Sequence, residues 1–140
     1  MPTHITTVGA VFVPVTDQER SLAFFTGVLG FELVADFPYG GRHRWLEVRP
    51  RGATNTLALV PPTEGRSAGG DVTRCALGTP DIEADRAALV AAGIDVDPIA
   101  GAGGRRPGLV SEAEAVEDPV PPQCLFRDPD GNRFLLVQPA

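Results

Sequence analysis

The chain has 140 residues, 43% of them apolar, with two cysteines and a formal net charge of −6. That length sets one domain or two small modules sharing a core, and the composition excludes a disordered or fibrous protein. No basic stripe exists, which excludes nucleic acid and anionic membrane as expected partners, and all twelve basic residues are arginine, which removes lysine Schiff-base chemistry.

No run approaches the roughly 18 apolar residues a membrane span needs, and the start MPTHITT has no charged-then-apolar leader, so a cytoplasmic location is expected. Cys75 and Cys124 lie far apart and form no CxxC, which favours buried free thiols over a disulfide.

Ala10–Val15 (AVFVPV) has the composition of a strand. Thr16 and Glu19 fit a capping box for a helix over Gln18–Leu29, with Leu22, Phe25 and Leu29 on one face and Gly30 as a left-handed C-cap. Strands are predicted at Phe31–Ala35, Arg44–Arg49 and Thr56–Val60, with a loop at Pro38–Gly41 and a turn at Pro50–Gly52. Polar, Gly/Pro-rich residues up to Gly70 read as a linker.

The order then recurs. Val72–Gly78 is a strand, Thr79-Pro80-Asp81 opens a helix with Pro in its first turn, and Gly93 closes it. Ile94–Asp97 is a strand. Cys124–Phe126 and Arg133–Val137 flank Asp128-Pro129-Asp130-Gly131-Asn132, a hairpin turn in which Pro pre-sets φ and Gly takes the positive φ. Asp17 to Gly30 spans 13 positions and Asp81 to Gly93 spans 12, and Arg49–Gly52 (RPRG) is the counterpart of Asp128–Gly131 (DPDG). The chain therefore divides into a βαβββ module at 1–62, a linker at 63–70 and a second βαβββ module at 71–140, which carries an insertion at 99–122. One helix cannot cover both faces of a four-stranded sheet, so each module turns one sheet face toward something else.

With VPVTDQERSLAFFTGVLGFEL, RWLEVRPRG and RDPDGNRFLLVQ in this order, the chain resembles the vicinal oxygen chelate superfamily, which includes glyoxalases, bleomycin-binding resistance proteins and dioxygenases. The resemblance implies an α+β fold in which two βαβββ modules form a cupped mixed sheet around a ligand cavity, and it implies a homodimer. In the superfamily's enzymes, one residue from the first and one from the last strand of each module bind a divalent metal. The positions that match are Ala10, Ala58, Arg74 and Leu135, none of which is a metal ligand. His43 and Glu47 share a strand face but lie about 13 Å apart at about 3.3 Å per residue, too far for one ion. No metal and no cofactor are therefore expected.

Strand alternation directs Val11, Val13, Val15, Leu46, Val48, Leu57, Leu59, Cys75 and Leu77 to the core. It leaves Phe12, Trp45, Glu47, Ala58 and Val60 from the first module, with Arg74, Leu135 and Val137 from the second, to line the cup. Trp45 either packs or touches ligand, and Arg74 either pairs with Glu47, contacts an anionic or carbonyl ligand, or faces solvent. Gly101–Gly108 (GAGGRRPG) fails as a phosphate loop because the third glycine position falls on Arg106. The insertion is either a surface loop or a lid over the cup carrying Arg105 and Arg106. The favoured function is metal-independent binding of an unidentified small molecule in an aromatic-lined cavity. The alternative is a metal-free lyase or isomerase with Glu47 as general base and Arg74 as electrostatic stabiliser. A metal-dependent lyase or dioxygenase is disfavoured by the missing ligands.

Overall fold

Two local rules, an Asp before each helix and a Gly after it, build the same unit twice. The computed structural model describes residues 2–65, 67–100 and 121–139. The chain divides into two compact units, Met1–Ala68 and Gly69–Ala140. The expected lid falls almost wholly outside the described residues, as do Arg105 and Arg106.

The first unit runs β1 (Ala10–Pro14), α1 (Gln18–Ala23), β2 (Glu32–Tyr39), β3 (His43–Arg49), β4 (Thr56–Val60) and the short α2 (Pro62–Gly65). Its sheet order is β1-β4-β3-β2, with β1 parallel to β4 and the other pairs antiparallel. Asp17 is the N-cap of α1, its carboxylate accepting the Arg20 N–H at 3.0 Å. The cap is therefore one residue later than the expected Thr16, whose hydroxyl accepts from the Arg20 guanidinium, while Glu19 pairs with Arg44. Gln18 anchors the helix start to the sheet by donating to the carbonyls of Arg44 and Leu59, each at 2.8 Å.

The expected helix to Leu29 changes pitch. Phe24–Val28 is a π-helical turn, with the Leu29 N–H reaching the Phe24 carbonyl at 3.1 Å. The wider turn sets the adjacent rings of Phe24 and Phe25 both into the core, edge to face at 5.1 Å. Leu22 and Leu29 are consequently only half-buried. Against this helix β1, β3 and β4 present Val13, Leu46, Val48, Leu57 and Leu59, all buried, in agreement with the strand alternation, whereas Val11, expected with them, is only half-buried at the start of β1.

The second unit runs β5 (Thr73–Gly78), α3 (Ile82–Ala91), β6 (Gln123–Arg127) and β7 (Arg133–Val137), in sheet order β5-β7-β6 with β5 parallel to β7. Asp81 caps α3 through the Ala84 N–H at 3.0 Å, repeating the Asp17 geometry, so Pro80 stands before the cap rather than in the first turn. The expected strand Ile94–Asp97 is an interrupted ladder on β6, bridging Val96 to Phe126 and Ala100 to Gln123. Pro98, lacking an N–H, lies between the two bridges and breaks it. Arg86 and Arg127 hold this strap by donating to the Asp97 carbonyl and carboxylate, each at 2.9 Å.

The β6–β7 turn is a buried polar knot. The Asp128 carboxylate accepts the Asp130 and Asn132 N–H groups and the Asn132 side-chain amide. Burial pushes the Asp128 carboxyl up against these hydrogen bonds, which pull it down. Asn132 is fully buried, and its Oδ1 accepts the Gly69 N–H at 2.8 Å and Arg74 Nε at 3.0 Å.

Gly69 and Gly70 both sit at positive φ, 75° and 82°, but a Cβ on Gly69 would meet the Asp130 carbonyl oxygen at 2.6 Å while one on Gly70 meets nothing. Gly70→Ala is expected to cost about 1–2 kcal/mol in urea unfolding, the price of a left-handed alanine. Gly69→Ala is expected to cost clearly more, and equal costs would show that the knot is not rigid. On the first sheet, Arg44 hydrogen-bonds Asp36 across β2 and β3 and lowers that carboxyl below its ordinary 3.8. A lowered folded value means that the pair's stabilisation is present above about 3.8 and is lost as pH falls through that folded value. Carboxyl NMR titration of Arg44→Gln should show Asp36 moving back up, whereas an unchanged midpoint would contradict the assignment.

Candidate functional site

The first unit's sheet has one face on α1, and its other face collects the aromatic residues. Register explains which ones. Phe12 on β1 pairs with Ala58 on β4, and Ala58 pairs with Glu47 on β3, so the three form one row across the strands. Trp45 lies two positions from Glu47 on β3 and shares this face. Ala58 and Val60 are buried, while Phe12 is 52% exposed.

Strand β2 adds two aromatic residues that alternation over Phe31–Ala35 misses. It runs four residues past Ala35, to Tyr39, and carries Pro38 without breaking, because an edge strand has no second neighbour that needs the missing N–H. An irregularity between Leu33 and Ala35 then re-aims the strand. Leu33 pairs with Val48 of the helix-facing set, whereas Phe37 pairs with Trp45 and Tyr39 with His43. The alternation Phe37-Pro38-Tyr39 was a usable sequence signal, hidden by treating Pro38–Gly41 as a loop.

The rings form a connected chain. Trp45 meets Phe12 at 5.9 Å and 80°, and Tyr39 at 6.0 Å and 77°. Tyr39 lies against His43 at 5.3 Å. Edge-to-face contacts of this kind set a positive ring edge against a negative ring face. The Trp45 indole N–H donates to Glu47 Oε1 at 2.5 Å, and the Thr56 hydroxyl donates to Oε2 at 2.8 Å. Both carboxylate oxygens are thereby fixed in a half-buried position, each with a lone pair to spare.

Of the eight residues expected to line the cavity, Phe12, Trp45, Glu47, Ala58 and Val60 belong to the first unit, and Arg74, Leu135 and Val137 belong to the second. Arg74 sits at an irregularity between Thr73 and Cys75, and its guanidinium donates to Asn132 Oδ1 and to the Gly69 carbonyl at 2.9 Å. Its visible role is to lock the β6–β7 turn. Leu135 is buried and pairs with Ala76 and Leu125 in an aliphatic row.

The matching metal positions carry two methyl groups, an isobutyl group and a guanidinium. These side chains offer no lone pair to a divalent cation and do not fit one. Among the described residues, no three His, Cys, Asp or Glu side chains converge as a metal site. Both thiols are free. Burial pushes Cys75 up to about 11 and raises Cys124 as well, which keeps them protonated and poor nucleophiles at neutral pH. No helix among the described residues is long and apolar enough to cross a membrane.

The model of the Glyoxalase/Bleomycin resistance protein/Dioxygenase superfamily matches residues 4–136. Among solved structures, TnmS3, an antibiotic binding protein from Streptomyces sp. CB03234, is 35% identical with a TM-score of 0.77, over 99% of this chain and 100% of that one. A superfamily member from Sphaerobacter thermophilus DSM 20745 is 30% identical with a TM-score of 0.76, over 98% of this chain and 100% of that one. A curated relative, the uncharacterized protein YetH of Bacillus subtilis (strain 168), is 43% identical over 54 residues, which is 39% of this chain and 45% of YetH.

Thr56→Val keeps the strand shape and removes one of the two donors to Glu47. A net loss of about 1 kcal/mol is expected in urea unfolding, from one hydrogen bond to a charged group that stays partly solvated. No loss would mean that water replaces the hydroxyl fully and that the carboxylate is not fixed.

Proposed function

The chain belongs to the Glyoxalase/Bleomycin resistance protein/Dioxygenase superfamily, and from this premise we propose that it is a metal-independent small-molecule-binding protein. The carrying observation is the ring chain Phe12–Trp45–Tyr39 beside the fixed carboxylate of Glu47. Apolar and aromatic surface with a few placed polar groups is what small-molecule sites are made of. Phe37, 49% exposed and paired with Trp45, extends the same surface. The likeness to TnmS3, described as an antibiotic binding protein, supports a binding role. Metal independence rests on Ala10, Ala58, Arg74 and Leu135, whose side chains offer no ligand where the superfamily's enzymes place theirs.

Catalysis by Glu47 as a base, with Arg74 stabilising charge, is the weaker proposal. Both Glu47 oxygens already accept hydrogen bonds, from Trp45 and Thr56, and Arg74 is engaged with Asn132 and Gly69. Assembly as a homodimer belongs to the same proposal, and light scattering on the purified protein reads it directly.

A thermal-shift screen, followed by titration of hits against the fluorescence of Trp45, the single tryptophan, tests the proposal. Phe37→Ala is expected to weaken a hit at least tenfold, about 1.4 kcal/mol, with little change in stability because the ring is half exposed. Stoichiometric divalent metal in the purified protein, with binding lost on chelation, would contradict it.

A further inference from the structure

We propose that the ligand of this face carries an organic cation, held between the Glu47 carboxylate and the rings of Phe12, Trp45 and Tyr39. The inference rests on taking that face as the ligand site. The acidic groups along the neighbouring strands already have cationic partners. Arg49 pairs with Glu32, and Arg44 pairs with Asp36 and Glu19. Glu47 differs. Its two hydrogen bonds come from an indole N–H and a hydroxyl, both neutral, and among the described residues no arginine or histidine pairs with it. Both arginines of its own strand are committed elsewhere.

Neutral donors orient a carboxylate without cancelling its charge, so the face keeps a negative centre. Trp45 touches that centre and carries the other rings beside it. Phe12 and Tyr39 stand nearly perpendicular to Trp45, on strands to either side of it, at 5.9 and 6.0 Å. A cation within about 6 Å of a ring centroid is attracted to the ring face, and a nearby carboxylate adds to that attraction. An anion meets repulsion from both. A neutral apolar ligand uses the rings but leaves the carboxylate short of the water it loses. The chain's net charge of −6 favours the approach of a cation over a longer range.

Two probes of one shape isolate charge. Benzyltrimethylammonium and its uncharged isostere neopentylbenzene have the same ring and the same trimethyl head, and neither donates a conventional hydrogen bond. Each is titrated against Trp45 fluorescence at low and at high salt. The cation is expected to bind at least tenfold more tightly at low salt, with the gap narrowing at high salt. Glu47→Gln is expected to bring the two probes within about threefold of each other, chiefly by weakening the cation. A thermal melt of the variant confirms its fold, and the probe pair on the unmodified protein decides the matter if that variant does not fold. Equal binding of both probes overturns the cation inference and leaves the face as a ligand site. Failure of both probes to perturb Trp45 overturns the inference and the site together.

Discussion

A single helix covers one face of a four-stranded sheet and no more. In the first unit α1 takes the face bearing Val13, Leu46, Val48, Leu57 and Leu59. The strand period of two then forces Trp45 and Glu47, interleaved with Leu46 and Val48, onto the other side. Everything distinctive about the candidate site follows from that alternation. The rings need not be recruited from distant loops, because β1, β3 and β2 of one sheet present them, with the small Ala58 of β4 between β1 and β3.

The second unit uses the same strand order for a different purpose. Its counterpart residues are aliphatic, with Leu135 between Ala76 and Leu125. Its polar investment lies in the β6–β7 turn, where Asp128, Asn132, Gly69 and Arg74 satisfy one another. Buried polar groups are tolerable when fully paired and costly when one partner is removed. The repeat thus diverges into an aromatic unit with an unbalanced carboxylate and an aliphatic unit with a closed hydrogen-bond network.

Much of this was legible in the amino-acid order. The two helix-capping aspartates, the closing glycines, the DPDGN turn and the alternation in β3 and β4 are short-range features, and short-range physics decides them. The features that were missed depend on partners. Phe37 and Tyr39 were lost because Pro38 reads as a breaker until β2 is known to be an edge strand. The π turn at Phe24–Val28 comes from packing two adjacent rings into one core, which periodicity at 3.6 residues does not anticipate. Alternation alone directs Arg74 inward, whereas beside the irregularity at Thr73/Cys75 its guanidinium meets Asn132 and Gly69. The expected strand Ile94–Asp97 is only a bridge at Val96, because Pro98, just past it, supplies no N–H to carry the ladder on to Ala100.

The central claim is that the aromatic face around Trp45 is where a ligand sits. One tryptophan gives one indole N–H resonance in a nitrogen–proton correlation spectrum, and that proton is the one donated to Glu47. Titration with benzyltrimethylammonium should move this resonance together with the amides of Phe12, Phe37 and Tyr39, saturating with a common affinity. A titration that shifts only second-unit amides such as Ala76 and Leu125, with the indole resonance fixed, would contradict the account.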